Sequence, residues 1–407
     1  MGFFTSRIGR LKPSLTSGSA ARARALLAQG RNIIILTTGE PDFDTPAHII
    51  EAAYSAMKSG QTRYTSTDGT PELKQAICDK FKRENGLDCS PSNITVSTGA
   101  KQIIFNIFST TVETGDEVVI PAPYWVSYPD IVGYCGGTAI TIACTADDRF
   151  KLTPEKLEAS ITRRTKWLVL NSPCNPSGAV YTRGELKELG DVLRRHEHVW
   201  VLSDDIYEHL RYTDDEYATI AHVNPDLAER VVTLNGVSKA YAMTGWRIGY
   251  AAGPEALIKK LSVLQSQSTS SPSSIGQAGA LAALTGGNDF MASWNQQYRD
   301  RRDHVTAALN AIPGLRCSVP DGAFYAYPMC DGLLGSRSRE GHVLSDDTAV
   351  ADYFLERAGV AVVPGTGFGL SPAFRVSFAT SKTLLEDACA RIAQACMELE
   401  PEHPGAH

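Results

Sequence analysis

One lysine, Lys239, lies where covalent chemistry with a carbonyl compound is expected. It follows a β-branched strand and sits among small and hydroxyl-bearing residues in the segment 234–250, LNGVSKAYAMTGWRIGY. A lysine in a partly desolvated pocket has its amine available for Schiff-base formation. Most lysines are solvated surface charges, but this segment carries little other charge, which favours a functional role. Ser238 and Arg247 could hold a phosphate dianion beside it, Arg247 through its planar fork.

A carboxylate, Asp204, ends an apolar run in the segment VLSDDIYE, and Tyr207 follows three residues later. A carboxylate held at a strand end could pair with a protonated pyridinium nitrogen, as pyridoxal phosphate (PLP) requires to act as an electron sink. The structural alternative is an N-cap aspartate for a following helix.

Two loops that follow strands could bind polar ligand groups. In the segment 93–105 a β-branched strand runs into Ser-Thr-Gly-Ala, with Gly99 and Ala100 at the start of a helical pattern, where free N–H groups favour an anion. In NSPCNPSG, residues 171–178, Asn175 offers both a donor and an acceptor at a strand's carboxyl end, where open α/β sheets place their ligands. For each loop the alternative is an ordinary structural turn.

Arg375 interrupts the apolar strand pattern AFRVS. Arginine is seldom buried without a partner, and its geometry suits bidentate binding of a carboxylate. A buried structural ion pair is the alternative. Together the five segments supply an amine, a partner for a pyridine nitrogen, an anion cradle and a carboxylate clamp.

The elements that must position these residues alternate between short β-branched runs and longer helical patterns. Continuous apolar strands alternating with helices indicate an α/β protein with a mostly parallel sheet covered on both faces. The strands are predicted at residues 94–96, 117–121, 167–170, 199–203, 231–234 and 248–251.

The pattern of predicted helices and strands changes after about residue 290 and predicts a second, α+β layer. Here a charged helix (294–311) precedes strand patterns at 323–327, 360–363 and 374–378 and a closing helix that ends near residue 400. The first 45 residues contain a basic helix pattern (20–29) and a strand pattern (32–36), which is too little for a separate core. We therefore predict three segments: 1–46 as an N-terminal arm and part of a small domain, 47–293 as a large domain, and 294–407 as the rest of the small domain. The stretch 332–344 is predicted to be an exposed insertion.

Composition excludes several classes of protein. The 407 residues are 43% hydrophobic with a net charge of −6, and no clustered basic segment indicates nucleic-acid binding. Nine cysteines without a C-x-x-C pair favour a reducing compartment over disulfides or a zinc site. The chain has neither a secretory signal pattern nor an apolar run long enough to span a membrane, so we expect a cytoplasmic protein without a metal.

The order and spacing of the motifs resemble the fold-type I, class I PLP-dependent aminotransferases, and are most similar to the bacterial aspartate/prephenate aminotransferase subgroup. The resemblance covers nearly the whole chain. It implies a large PLP-binding domain with a mostly parallel seven-stranded sheet between helices, and a smaller α+β domain built from both chain termini. The motifs that carry it are GEPDFDTP (39–46), Tyr64 to Gly69, NSPCNPSG, SDDIYEHL, SKAYAMTGWRIGY and FRVSFATS.

The resemblance also implies roles for individual residues. Lys239 would bind the cofactor and then act as general base and acid, Asp204 would pair with the pyridine nitrogen, and Trp125 would stack on the ring. Asn175 and Tyr207 would bond the phenolic oxygen.

Gly39 and Arg375 would receive the substrate's α-carboxylate, with Trp125 and Asn175 also at the substrate. The residues around the phosphate would be Gly99, Ala100, Lys101, Ser238, Arg247 and, reaching over from a partner subunit, Tyr64.

Two basic residues bear on the choice of substrate. In the subgroup, residues matching Lys12 and Lys101 are associated with a second carboxylate, which favours aspartate or glutamate and leaves prephenate and aromatic amino acids open.

An active site shared through Tyr64 implies a homodimer. The chain departs from the usual pattern at Asp205, where glutamate is common, and at Cys174 and Ser177.

Other functions fit the same residues less well. The glycine-rich stretch 365–369 leads into a strand rather than a helix, so it is not a dinucleotide fingerprint. A PLP-fold regulatory protein would be expected to lack Lys239 or to carry a DNA-binding extension. The alternative that stays open is another PLP reaction on this fold, such as β-elimination, decarboxylation or oxidation, because a fold does not determine a reaction.

Overall fold

The computed structural model describes residues 3–11 and 15–400, apart from the side chains of residues 15–17. Its helices are α1 (Leu15–Ala28), α2 (Ala47–Lys58), α3 (Pro71–Asn85), α4 (Ala100–Thr111), α5 (Ser127–Cys135), α6 (Pro154–Ser160), α7 (Arg183–Arg195), α8 (Ile220–Val223), α9 (Glu255–Ser266), α10 (Ser274–Thr285), α11 (Phe290–Asn310), α12 (Asp347–Tyr353) and α13 (Lys382–Met397).

The strands fall into one large and two small sheets. They are β1 (Ile34–Ile35), β2 (Ile94–Ser97), β3 (Glu117–Ala122), β4 (Thr138–Ala143), β5 (Thr165–Asn171), β6 (Trp200–Asp204), β7 (Val231–Gly236), β8 (Gly249–Ala252), β9 (Tyr325–Ala326), β10 (Val360–Ala361), β11 (Val363–Pro364) and β12 (Phe374–Ser377).

The large sheet has the order β2-β8-β7-β6-β5-β3-β4 among the described residues. Only β8 runs antiparallel to its neighbours, and the other pairs are parallel. The mostly parallel α/β sheet predicted from the strand patterns, and the seven strands that the resemblance implies, are confirmed.

Alternating side chains place a core on each face of this sheet. In β3, Val118 and Ile120 pack with α4 and α5, whereas Val119 between them packs with α6 and α7 on the opposite face. This follows from the two-residue period of a strand. The covering helices start at good caps: in α7, Thr182 and Glu185 form a capping box.

A third core joins the N-terminal strand to the C-terminal part of the chain. Ile34 and Leu36 are buried with apolar residues of α11, α12 and α13. In addition β1 pairs in parallel with β10. Both chain ends therefore contribute to this α+β layer, while the boundaries at residues 46 and 293 stay predictions.

Several predicted elements differ in the structure. The strand β4 was missed, because only one of its six residues is fully buried and its Thr-Ala-Ile-Thr-Ile-Ala pattern lacks a continuous apolar run. The predicted strand 360–363 is two short strands, since β10 pairs with β1 while β11 pairs with β12 in another sheet. The stretch 332–344 is not fully exposed: Leu333, Ser338 and Leu344 are buried, and Leu344 donates its N–H to the Ser336 carbonyl.

Candidate active site

A cavity of about 670 Å³ opens at the carboxyl ends of the parallel strands β5, β6 and β7. This is the edge at which open α/β sheets bind ligands. The structure brings eleven of the predicted site residues to its wall: Gly39, Ala100, Lys101, Trp125, Asn175, Asp204, Tyr207, Ser238, Lys239, Arg247 and Arg375.

The amine of Lys239 projects into this cavity from the turn that follows β7. Its Nζ donates a hydrogen bond of 2.6 Å to the carbonyl oxygen of Gly39. Burial, with the charges of Arg375 and Arg247, lowers the pKa of the amine to about 8 against the usual 10.5, although the carboxylates of Glu40 and Asp204 oppose this shift. A lysine with such a pKa has a useful neutral fraction near physiological pH, as a nucleophile or base requires.

Asp204 ends β6 on the floor of the cavity. Tyr128 donates its hydroxyl to Asp204 Oδ2 at 2.5 Å, and the Ile206 N–H donates to Oδ1 at 3.4 Å. Burial raises the pKa of Asp204 to about 6, although the hydrogen bonds oppose this shift. A buried carboxylate favours a cationic partner, so this position suits a protonated ring nitrogen.

Two glycines near the start of α4 allow Arg247 and the backbone of β8 to approach the helix closely. Gly99, with φ of 83°, precedes the helix, and a Cβ on it would lie 2.2 Å from a guanidinium nitrogen of Arg247. A Cβ on Gly249 would lie 2.2 Å from the backbone nitrogen of Ala100. Both positions therefore require glycine. The result is a 12-residue helix whose N-terminal N–H groups lie beside an arginine, an arrangement that favours an anion.

The cations of this cradle have no carboxylate partner among the described residues. Arg247 donates to the Thr244 carbonyl at 2.8 Å, and Lys101 Nζ lies 4.7 Å from the centroid of the Trp125 ring. Burial, together with the charge of Arg247, lowers the pKa of Lys101. Ser238 is buried next to them. A dianionic group such as a phosphate would compensate these charges.

Arg375 is a buried cation that lines the cavity from β12 of the three-stranded sheet. It donates to Asn175 Oδ1 at 2.9 Å and to the Thr37 carbonyl at 2.7 Å, and its guanidinium lies 4.4 Å from the Tyr325 ring centroid. Its Nε has no partner within the described part of the chain. Because its described partners are neutral, the arginine is available to an incoming carboxylate. Tyr207 lies nearby, with its hydroxyl 2.9 Å from that of Tyr325.

Three predicted residues do not line the cavity. Gly99 acts behind the wall by making room for Arg247. Tyr64 is 93% exposed and lies away from this chain's cavity lining. Lys12 lies outside the residues that the structure describes.

Sequence reasoning missed several cavity residues. Tyr128 is among them; it lies in α5, which begins two residues after Trp125. Asn171 is another: its side chain donates to the Asp204 carbonyl at 2.8 Å and accepts from the Asn175 N–H at 2.8 Å. Arg24 and Tyr325 had no motif to mark them, because their place depends on how the two chain ends fold together. The other lining residues that were missed are Ala20, Thr37, Thr38, Glu40, Ile104, Ile206, Thr244 and Gly245.

No helix in the described part of the chain is long and apolar enough to cross a membrane.

Comparison with known proteins gives consistent matches over almost the whole chain. The sequence profile of the family described as "Aminotransferase class I and II" matches residues 31–392. The chain is 53% identical over 399 residues to an aspartate/prephenate aminotransferase of Cereibacter sphaeroides, covering 98% of this chain and 100% of the relative. It is 54% identical over 394 residues to an aspartate aminotransferase of Rhizobium meliloti, covering 97% and 96% of the two chains.

Solved structures of aminotransferases also resemble this chain over nearly its whole length. The crystal structure of the Rhizobium meliloti aspartate aminotransferase has a TM-score of 0.96 at 53% identity, covering 98% of this chain and 100% of that chain. The Thermus thermophilus aspartate aminotransferase with maleate has a TM-score of 0.91 at 41% identity, covering 97% and 100%.

Proposed function

The chain belongs to the class I and II aminotransferase family and is an aminotransferase, and from this premise we propose that it uses PLP to exchange an amino group between a dicarboxylic L-amino acid and a 2-oxo acid. Aspartate and glutamate are the favoured donors, and prephenate is a further candidate acceptor. The observation that carries the proposal is the cavity, in which an amine, a buried carboxylate and an anion cradle lie together.

The residues present fit PLP at both ends of the molecule. Arg247, Ser238 and the N–H groups at Gly99 and Ala100 form a cradle that requires two glycines and suits the phosphate. At the other end Asp204 is buried with a raised pKa, as expected of a carboxylate that awaits a cationic ring nitrogen. When bound, PLP supplies an electron sink for the charge left on the substrate when its α-proton is removed.

Lys239 would hold the cofactor and would also move a proton to and from the substrate. Its pKa near 8 allows the amine to accept a proton and return it near neutral pH. Asp204 would keep the ring nitrogen protonated, with Tyr128 orienting the carboxylate. Trp125 is proposed to stack on the ring, and Asn175 and Tyr207 to donate to its phenolic oxygen.

Arg375 is proposed to orient the substrate through its α-carboxylate, together with Gly39. The arginine is already held by Asn175 and by the Thr37 carbonyl, so little side-chain entropy is lost when a carboxylate binds. Lys101 and Lys12 are proposed to favour a second carboxylate. The relatives' names support this preference, since those matched here are aspartate or aspartate/prephenate aminotransferases.

A homodimer is proposed because Tyr64 lies outside its own chain's cavity. Exposed apolar side chains on α2 support the proposal: Ile50, Tyr54 and Met57 recur at helical spacing and are 46%, 51% and 44% exposed. An apolar helical face of this kind is typical of an interaction surface. In such a dimer Tyr64 would reach the phosphate of the partner's site.

The transfer of ¹⁵N from L-aspartate to 2-oxoglutarate tests the reaction. The PLP-loaded protein should form labelled glutamate and oxaloacetate in equal amounts, with the parallel double-reciprocal plots of a ping-pong mechanism. The variant Lys239→Ala should lose this transfer and the visible absorbance of bound cofactor, whereas Lys260→Ala, at an exposed lysine, should retain both. Release of labelled ammonia or of carbon dioxide instead of glutamate would indicate another PLP reaction.

A further inference from the structure

The cavity wall contains a third arginine besides Arg247 and Arg375, namely Arg24, which no motif predicted. It lies on α1, four residues after Ala20, which also lines the cavity. Residues four apart share one face of a helix, so a single face of α1 borders the cavity.

The docking of α1 fixes which of its faces borders the cavity. Ala23 is fully buried against Ile33, Leu355 and Ala361. Arg22 forms ion pairs with Asp352 and Glu356. These contacts hold the helix against the C-terminal part of the chain.

The packing of α1 shows from which layer of the protein Arg24 reaches the cavity. Its helix packs against β10 and β11. The strand β11 pairs directly with β12, and Val363 of β11 is opposite Arg375 of β12. Arg24 therefore comes from the same layer as the proposed α-carboxylate clamp, whereas Lys101 comes from the large sheet's side.

Among the described residues Arg24 also lacks a counter-ion. Within the described ranges no carboxylate pairs with it, although Arg22 and Arg31 nearby both pair with Glu356. An exposed arginine that lines a substrate cavity without a partner is available to an anionic ligand.

We propose that Arg24 is a specificity-determining residue that receives the side-chain carboxylate of a dicarboxylic substrate from the side opposite Lys101. This inference rests on the proposed function and adds to it a residue of the substrate site. Since Arg24 is exposed, the attraction is screened by salt, and the preference for dicarboxylic substrates should fall as ionic strength rises.

The test compares ligands that differ only in the second carboxylate. Single-turnover efficiency is measured with aspartate and with its neutral isostere asparagine, and equilibrium binding is measured by calorimetry with succinate and with butyrate. In Arg24→Gln, both dicarboxylate preferences should fall about three- to tenfold, between the usual contributions of an exposed ion pair and of a charged hydrogen bond. The salt dependence of the preferences should fall with them.

Two further variants separate recognition from other effects. Arg24→Lys retains the charge and should recover most of the preference. Arg183→Gln removes the same charge from an exposed position on α7 and should keep the wild-type ratios. Unchanged ratios in Arg24→Gln, or an equal fall in Arg183→Gln, would overturn the role of Arg24 while wild-type transfer of the amino group still stood. A wild-type protein that converts no amino acid would overturn the proposed function and this inference together.

Discussion

At the scale of single residues, the cavity holds charges that burial makes unfavourable. Burial lowers the pKa of Lys239 and raises that of Asp204, and Arg375 is buried with neutral described partners. Each of these groups gains a partner of opposite charge, or loses its own charge, when the proposed ligands bind. Shifted pKa values of this kind are typical of functional sites.

The pKa of Lys239 predicts how the binding of PLP depends on pH. Only the neutral amine attacks the cofactor's carbonyl, and with a pKa near 8 about a tenth of it is neutral at pH 7 and about nine tenths at pH 9. The rate constant for PLP association should therefore rise with pH and level off above pH 8. Stopped-flow absorbance of the cofactor-free protein measures it. A rate that still rises steeply to pH 10 would show an ordinary lysine.

The role of Arg375 predicts a defect in substrate binding that spares the cofactor. Because charge-assisted hydrogen bonds contribute about 1.5–3 kcal/mol, Arg375→Leu should weaken amino-acid binding by about ten- to a hundredfold. PLP absorbance should persist, and Arg375→Lys should be affected less. Spectral titration with aspartate provides the measurement, and unchanged half-saturation in Arg375→Leu would contradict the clamp.

At the scale of elements, strand ends and one helix start determine the site's geometry. The ends of β5, β6 and β7 place Asn171, Asp204 and Lys239 at one edge of the sheet. The start of α4 packs so closely on β8 that glycine is needed at Gly249, while Gly99, with its positive φ, leaves room for Arg247. A shift of either element would thus move several functional groups together.

This packing predicts the effect of one added methyl group. In Gly249→Ala the new Cβ would lie 2.2 Å from the Ala100 nitrogen, so we expect a loss of about 1–3 kcal/mol in the free energy of unfolding and weaker PLP binding. Denaturant unfolding and PLP titration measure the two effects. Gly287→Ala is the matched control, because among the described residues no atom beyond its chain neighbours lies within 4 Å of the added Cβ. Wild-type stability and affinity in Gly249→Ala would refute the close packing.

Patterns within short segments predicted most of the sheet and the residues at its strand ends. The motif residues Lys239, Asp204, Asn175 and Arg375 were found because each follows or interrupts a recognisable strand. The edge strand β4 and the separate pairings of β10 and β11 were missed, since local patterns do not show which strands pair. Arg24 and Tyr325 were missed because their place depends on contacts between distant parts of the chain.

At the scale of the whole molecule, the proposed dimer would complete each site with a residue from the other subunit. Tyr64 is exposed, and α2 presents the apolar face of Ile50, Tyr54 and Met57. A second copy of the chain that covers this surface would account for both the exposed tyrosine and the apolar helix face.

Mixed dimers test this sharing of sites. In a dimer of one Lys239→Ala chain and one Tyr64→Ala chain, the intact Lys239 would lie in a site that receives an intact Tyr64, so one of two sites should recover wild-type activity. The mixture, refolded or exchanged together, should exceed the sum of the two variants measured alone. A strictly additive activity would contradict the shared site.

The central claim is that this cavity holds PLP on Lys239 and passes an amino group to and from a dicarboxylic substrate. A single-turnover measurement without 2-oxo acid tests it most directly. L-aspartate should convert the visible spectrum of the PLP-loaded protein to that of the pyridoxamine form, with one oxaloacetate formed per site, and 2-oxoglutarate should restore the original spectrum. An absent spectral conversion, or product that continues to accumulate without 2-oxo acid, would contradict the account.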